Sequence, residues 1–79
     1  MSKKEKLLKR LESKPKDFTW KDLVSLMAQH GYEIVERKNK GSKRTFYNKD
    51  INRIAHFHEP HPRKVLKQYQ IENALEVLR

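Results

Sequence analysis

Three of the four histidines of this chain fall within six positions, in His56-Phe57-His58-Glu59-Pro60-His61-Pro62. Imidazole is the side chain whose unperturbed pKa, about 6.5, lies nearest neutrality, so such a cluster suits proton transfer or metal ligation. The metal reading is the weaker, because His56-x-His58-x-x-His61 matches no familiar ligand spacing and Glu59 is the only carboxylate nearby. No metal and no cofactor is therefore expected. Structural roles stand beside the chemical one: His56 on a strand suits packing or hydrogen bonding, and His61 between prolines suits capping the next helix. His30, just before Gly31, reads as a favourable cation at a helix C-terminus.

A second group gathers around a glycine. Lys38, Lys40, Lys43 and Arg44 cluster about the turn Asn39-Lys40-Gly41-Ser42, where a phosphate backbone could be contacted while Gly41 permits its close approach. By contrast, Lys3, Lys4, Lys6, Lys9 and Arg10 read as solvating residues or as a docking surface for another chain. Phe18, Trp20 and Tyr69 read as core or core-edge packing, whereas Tyr47 is ambiguous.

Composition narrows the partners. The chain has 79 residues, 35% of them hydrophobic, which suits one small domain without a deep enclosed pocket. Its net charge of +9 favours a polyanionic partner, nucleic acid ahead of a membrane surface. The absence of cysteine excludes a disulfide framework or a thiolate zinc site. No apolar run approaches the roughly 20 residues of a membrane span, and no secretory signal pattern opens the sequence, so a cytoplasmic location is expected.

The elements that must position these residues are legible from periodicity. Leu7, Leu8 and Leu11 form one stripe of a short helix that ends at Ser13-Lys14-Pro15. Thr19 can cap a second helix, with Asp22 three residues later as a short relative of the capping box. Trp20, Leu23, Val24 and Met27 follow helical spacing, and Gly31 is the expected stop. Strands are expected at 32–38, 43–48 and 52–58, with Lys49-Asp50 making a tight reversal. In the third strand, Ile54, His56 and His58 share one face and Arg53, Ala55 and Phe57 the other. Ile71, Ala74, Leu75 and Leu78 mark a last helix after the prolines. The expected fold class is α+β, a three-stranded antiparallel sheet with two helices on one face and an extra N-terminal helix. It divides into an extension over residues 1–14 and a domain over residues 15–79. The uncovered sheet face, near Lys43 and Arg44, is the expected place for a nucleic acid. A DNA-binding repressor fits poorly, since no helix-turn-helix pair with a basic recognition helix is visible.

This order of elements, with Gly31-Tyr32 before the first strand, Gly41-Ser42 before the second and His61-Pro62-Arg63-Lys64-Val65-Leu66-Lys67 before the last helix, resembles the HicA family of toxin–antitoxin ribonucleases. The similarity covers residues 18–79 and leaves the first helix outside. It implies a fold like the double-stranded-RNA-binding domain (dsRBD-like), metal-independent cleavage of messenger RNA in bacteria, and neutralisation by a HicB-type antitoxin protein covering the active surface. On this basis Lys38, Lys40, Gly41, Ser42 and Arg44 are expected to bind RNA. The chain departs from the family at one place: the catalytic histidine that usually follows Gly-Ser is here Lys43. Cleavage without a metal requires a base for the 2′-hydroxyl and an acid for the leaving 5′-oxygen, work that suits imidazole better than lysine, whose unperturbed pKa is about 10.4. Lys43 is better suited to binding phosphate or stabilising the transition state. The acid/base work would then fall to His56, His58 or His61. The alternatives are a substitution that silences a toxic protein, or a catalytically silent module that binds RNA or an antitoxin.

Overall fold

A computed structural model describes residues 3–35, 43–60 and 64–78. Along the chain run α1 (Lys3–Glu12), α2 (Trp20–Gln29), β1 (Glu33–Val35), β2 (Lys43–Asn48), β3 (Arg53–His58) and α3 (Gln68–Leu78). The strands form an antiparallel meander in the order β1-β2-β3. This is the expected small α+β domain. The expected turn at 39–42, the end of the first expected strand at 36–38, and His61 lie outside the described residues.

Local chemistry sets the boundaries. At the start of α2 the Thr19 hydroxyl accepts from the Asp22 amide at 3.1 Å, and the Asp22 carboxylate accepts from the Thr19 amide at 3.2 Å. Two of the amides that a helix start leaves unpaired are thereby satisfied. At the other end Tyr32 N donates to Met27 O at 2.9 Å and Gly31 N to Ala28 O at 3.1 Å, a Schellman closure that needs a left-handed residue. Gly31 supplies it, with φ of +89°. The buried Asn48 then joins this corner to the sheet, donating to His30 O at 3.0 Å and accepting from Asp50 N at 3.0 Å. The β2–β3 reversal is longer than the expected dipeptide. It spans residues 49–52, and Asn52 takes φ of +51°, a left-handed conformation that asparagine tolerates, so β3 starts at Arg53.

One face of the sheet carries the core. Phe46, Ala55 and Phe57 from the strands join Trp20, Leu23, Leu26 and Met27 of α2, Ile71, Ala74 and Leu75 of α3, and Leu11 of α1 in one buried cluster. Phe46 sits at its centre, with ring centroids 5.8 Å from Trp20 and 5.6 Å from Phe57 in an edge-on arrangement. Each fully buried leucine, isoleucine, methionine or phenylalanine of the cluster contributes about 1.5–3 kcal/mol. Tyr69 differs from its expected core-edge role: it is 54% exposed, because it lies two residues, about 200° of helix, from the buried Ile71.

Arg10 also differs from expectation. Its guanidinium contacts the Asp22 carboxylate at 2.8 Å and that of Asp17 at 3.1 Å, and lies 5.3 Å from the centroid of the Phe18 ring. A residue read as solvating is therefore the brace between α1 and the capping box of α2. No helix among the described residues is long and apolar enough to cross a membrane.

Candidate active site

Pleating and register decide which side chains meet on the uncovered face of the sheet. Lys43 pairs with His58, Thr45 with His56 and Tyr47 with Ile54 across β2 and β3. On the other side of β2, Val35 pairs with Thr45 and Glu33 with Tyr47. Paired residues share a face, so Lys43, His56 and His58 stand together on the side the helices leave open. The burial of Ala55 and Phe57 against the exposure of Ile54, His56 and His58 gives β3 the two faces its alternation predicts.

Cross-strand partners place their Cβ atoms about 4.5–5.5 Å apart, and the next residue on the same face lies about 6.6 Å along the strand. Two imidazoles at that separation, with an ammonium beside one of them, can address the two ends of an in-line displacement at phosphorus. In such a displacement one would take the proton of an attacking hydroxyl, the other would protonate the leaving oxygen, and the lysine would meet the charge between them. His56 is oriented from below: its Nδ1 lies 3.2 Å from Oγ1 of the buried Thr45. That contact engages Nδ1, so Nε2 is the nitrogen left for chemistry with a bound substrate.

His58 is held through its backbone. Its carbonyl accepts a 2.6 Å hydrogen bond from Nε2 of Gln70, and Oε1 of the same amide accepts from Lys67 N at 3.0 Å. The end of β3 is thus tied to the first turn of α3. Arg44 takes the opposite direction from Lys43, as alternation requires. It lies on the helix-covered side with Phe46, and its Nη2 is 3.3 Å from the Glu59 carboxylate. Of the residues singled out in the sequence, the fold brings together Lys43, His56 and His58 and turns Arg44 away from them. Lys38, Lys40, Gly41, Ser42 and His61 lie outside the described residues.

Three residues were not found from sequence. Thr45 shares a face with Lys43 by strand alternation, but its pairing with His56 depends on the length of the reversal at 49–52. Gln70 is a polar residue four positions before Ala74, on the apolar stripe of α3, which is the signal that a buried amide with dedicated partners was required. Glu59, weighed in the sequence only as a lone metal ligand, bridges two cations. Among the described residues no group of three histidines or carboxylates is arranged to hold a metal ion.

Residues 20–78 match the family model described as HicA toxin of bacterial toxin-antitoxin. No curated protein and no solved structure matches the chain. The family match starts at the first residue of α2 and runs through the sheet to the end of α3, taking in most of the chain and the whole of the histidine-bearing face, and the chain belongs to the HicA toxin family.

Proposed function

We propose that this chain is the toxin of a bacterial type II toxin–antitoxin pair, an endoribonuclease that cleaves messenger RNA without a metal and is neutralised by a HicB-type antitoxin laid over the open sheet face. The observation that carries the reading is the pairing of Lys43 with His58, one step from the Thr45–His56 pair, on the uncovered face. His58 and His56 divide the acid and base roles, and Lys43 stabilises the charge on the phosphorane. His61 is a further candidate on the same segment. Lys38, Lys40, Gly41 and Ser42, which precede Lys43 in the sequence, are the further residues proposed to contact phosphate. On this reading the chain acts in the cytoplasm, where messenger RNA is.

The test is incubation of the purified protein with a long RNA in EDTA, beside His56→Ala, His58→Ala and His61→Ala. His58→Ala is expected to slow cleavage at least 100-fold, the usual scale of one acid/base catalyst, with the fold intact by circular dichroism. Undiminished cleavage by all three variants would remove the histidines from the reaction.

A second reading is favoured by one observation, the lysine at the position of the family's usual histidine. In it the chain binds RNA or its antitoxin without cutting. Intact RNA held in a salt-sensitive complex, and expression without growth arrest, would select that reading.

A further inference from the structure

Glu59, directly after His58, has a side chain only 11% exposed. Its Oε1 meets Arg44 Nη2 at 3.3 Å and its Oε2 meets Lys64 Nζ at 3.1 Å. A carboxylate taken that far from water is costly unless both oxygens find charged partners, and removing one partner leaves a buried charge uncompensated. The cluster joins three places in the chain. Arg44 is the neighbour of Lys43 in β2 and also donates to the Lys43 carbonyl at 3.1 Å. Glu59 follows the last residue of β3, and Lys64 belongs to a stretch docked on the entry to α2 through Trp20 N to Lys64 O at 2.9 Å and Leu66 N to Phe18 O at 2.8 Å.

From α3 comes the second hold. Gln70 is 3% exposed and spends both ends of its amide, one on the His58 carbonyl and one on the Lys67 amide. His58 and Lys43 form the last described pair of the β2–β3 ladder, the kind of position where strands open most easily. Here it is fastened by its own carbonyl and by the next residue's carboxylate.

We propose that Arg44, Glu59, Lys64 and Gln70 are positioning residues for His58, and that Arg44 acts through Glu59 rather than on an RNA phosphate. The proposal rests on the reading of the open face as the one that cuts RNA. A loosened last pair would let the imidazole drift from Lys43, and a misplacement of about 1 Å at a reacting group can cost on the order of 100-fold in rate.

Two readouts need no catalysis. In Glu59→Gln, Gln70→Leu and Arg44→Gln, the His58 ring resonances of the free protein are expected to shift and broaden while those of His56 stay, and Arg44→Lys is expected to restore them. In RNA binding, Arg44→Gln is expected to keep the wild-type salt slope, which loss of one phosphate contact would lower by about 1. In cleavage, Glu59→Gln and Gln70→Leu are expected to lose about 10- to 100-fold in kcat with KM changed less than about 2-fold. Unchanged His58 resonances in all the variants, or a lowered salt slope for Arg44→Gln, would overturn the proposal. Should Glu59→Gln fail to fold, Lys64→Gln, whose side chain is 64% exposed, reads the same cluster. Wild-type protein that leaves RNA intact would remove the cleavage reading, while the resonances and the salt slope would still decide for or against positioning.

Discussion

At the residue scale the chain turns on a division of labour between neighbours in β2. Lys43 and Arg44 are adjacent cations, yet one faces the open side with two imidazoles and the other is spent on Glu59 beneath the sheet. On the proposed reading the first meets a phosphate and the second holds Glu59. Lys43→Gln should therefore weaken binding to single-stranded RNA roughly uniformly across sequences and lower the salt slope by about 1, measured by titration at several salt concentrations. An unaltered slope would take Lys43 out of the footprint. The two residues have the same charge and differ only in the parity of their position, which is enough because side chains in a strand alternate strictly.

At the element scale, α2 is fixed at both ends by groups whose chemistry is local and whose partners are not. Its N-terminal Asp22 serves the cap and the ion pair with Arg10 of α1 at once. Partial burial pushes the Asp22 carboxyl up, but the hydrogen bond from Arg10 and those with Thr19 outweigh it and hold its pKa below the ordinary value. A carboxylate whose pKa is lower folded than unfolded adds stability that is present above the unfolded value, about 3.9, and is lost as pH falls through the folded one. Asp22→Asn should accordingly lower the urea midpoint at about pH 6, and the gap to wild type should narrow at a pH below the ordinary aspartate value of about 3.9. A gap of equal size at both pH values would mean that the ionised carboxylate is not what stabilises the joint. This joint was half legible in the sequence: the capping pair is read from Thr19 and Asp22 alone, whereas Arg10 lies 12 residues from Asp22 and nothing local announces the pairing.

For the whole molecule, the question is how a small basic chain keeps one sheet face open without losing its core. The helices answer it together. α1 lies outside the family match, yet Leu11 is fully buried in the common cluster and Leu7 and Leu8 pack against it. Leu11→Ala should cost about 2–5 kcal/mol in denaturant unfolding, the range for a truncated core leucine. A loss below about 0.5 kcal/mol, the scale of surface changes, would show that α1 is an appendage that the domain does not need. With its core gathered on one side of the sheet, the molecule presents Lys43, His56 and His58 on the other, beside Val35, Tyr47 and Ile54.

The sequence by itself determined the elements, their order, the caps of α2, the two faces of β3 and the membership of His56 and His58 in one face. These follow from periods of two and 3.6 residues and from the chemistry of threonine, aspartate and glycine at helix ends, all of which act over a few residues. The tertiary structure alone decided that Lys43 stands opposite His58 and Thr45 opposite His56, because register depends on where the reversal at 49–52 ends, and a slip of one residue would send every side chain to the other face. It alone decided that Arg44, Glu59 and Lys64 meet, that Gln70 reaches the His58 carbonyl, and that Arg10 braces two helices. Most of those contacts join residues twelve or more positions apart, and they form because burying a charge or an amide is tolerable only where a specific partner has been brought to it.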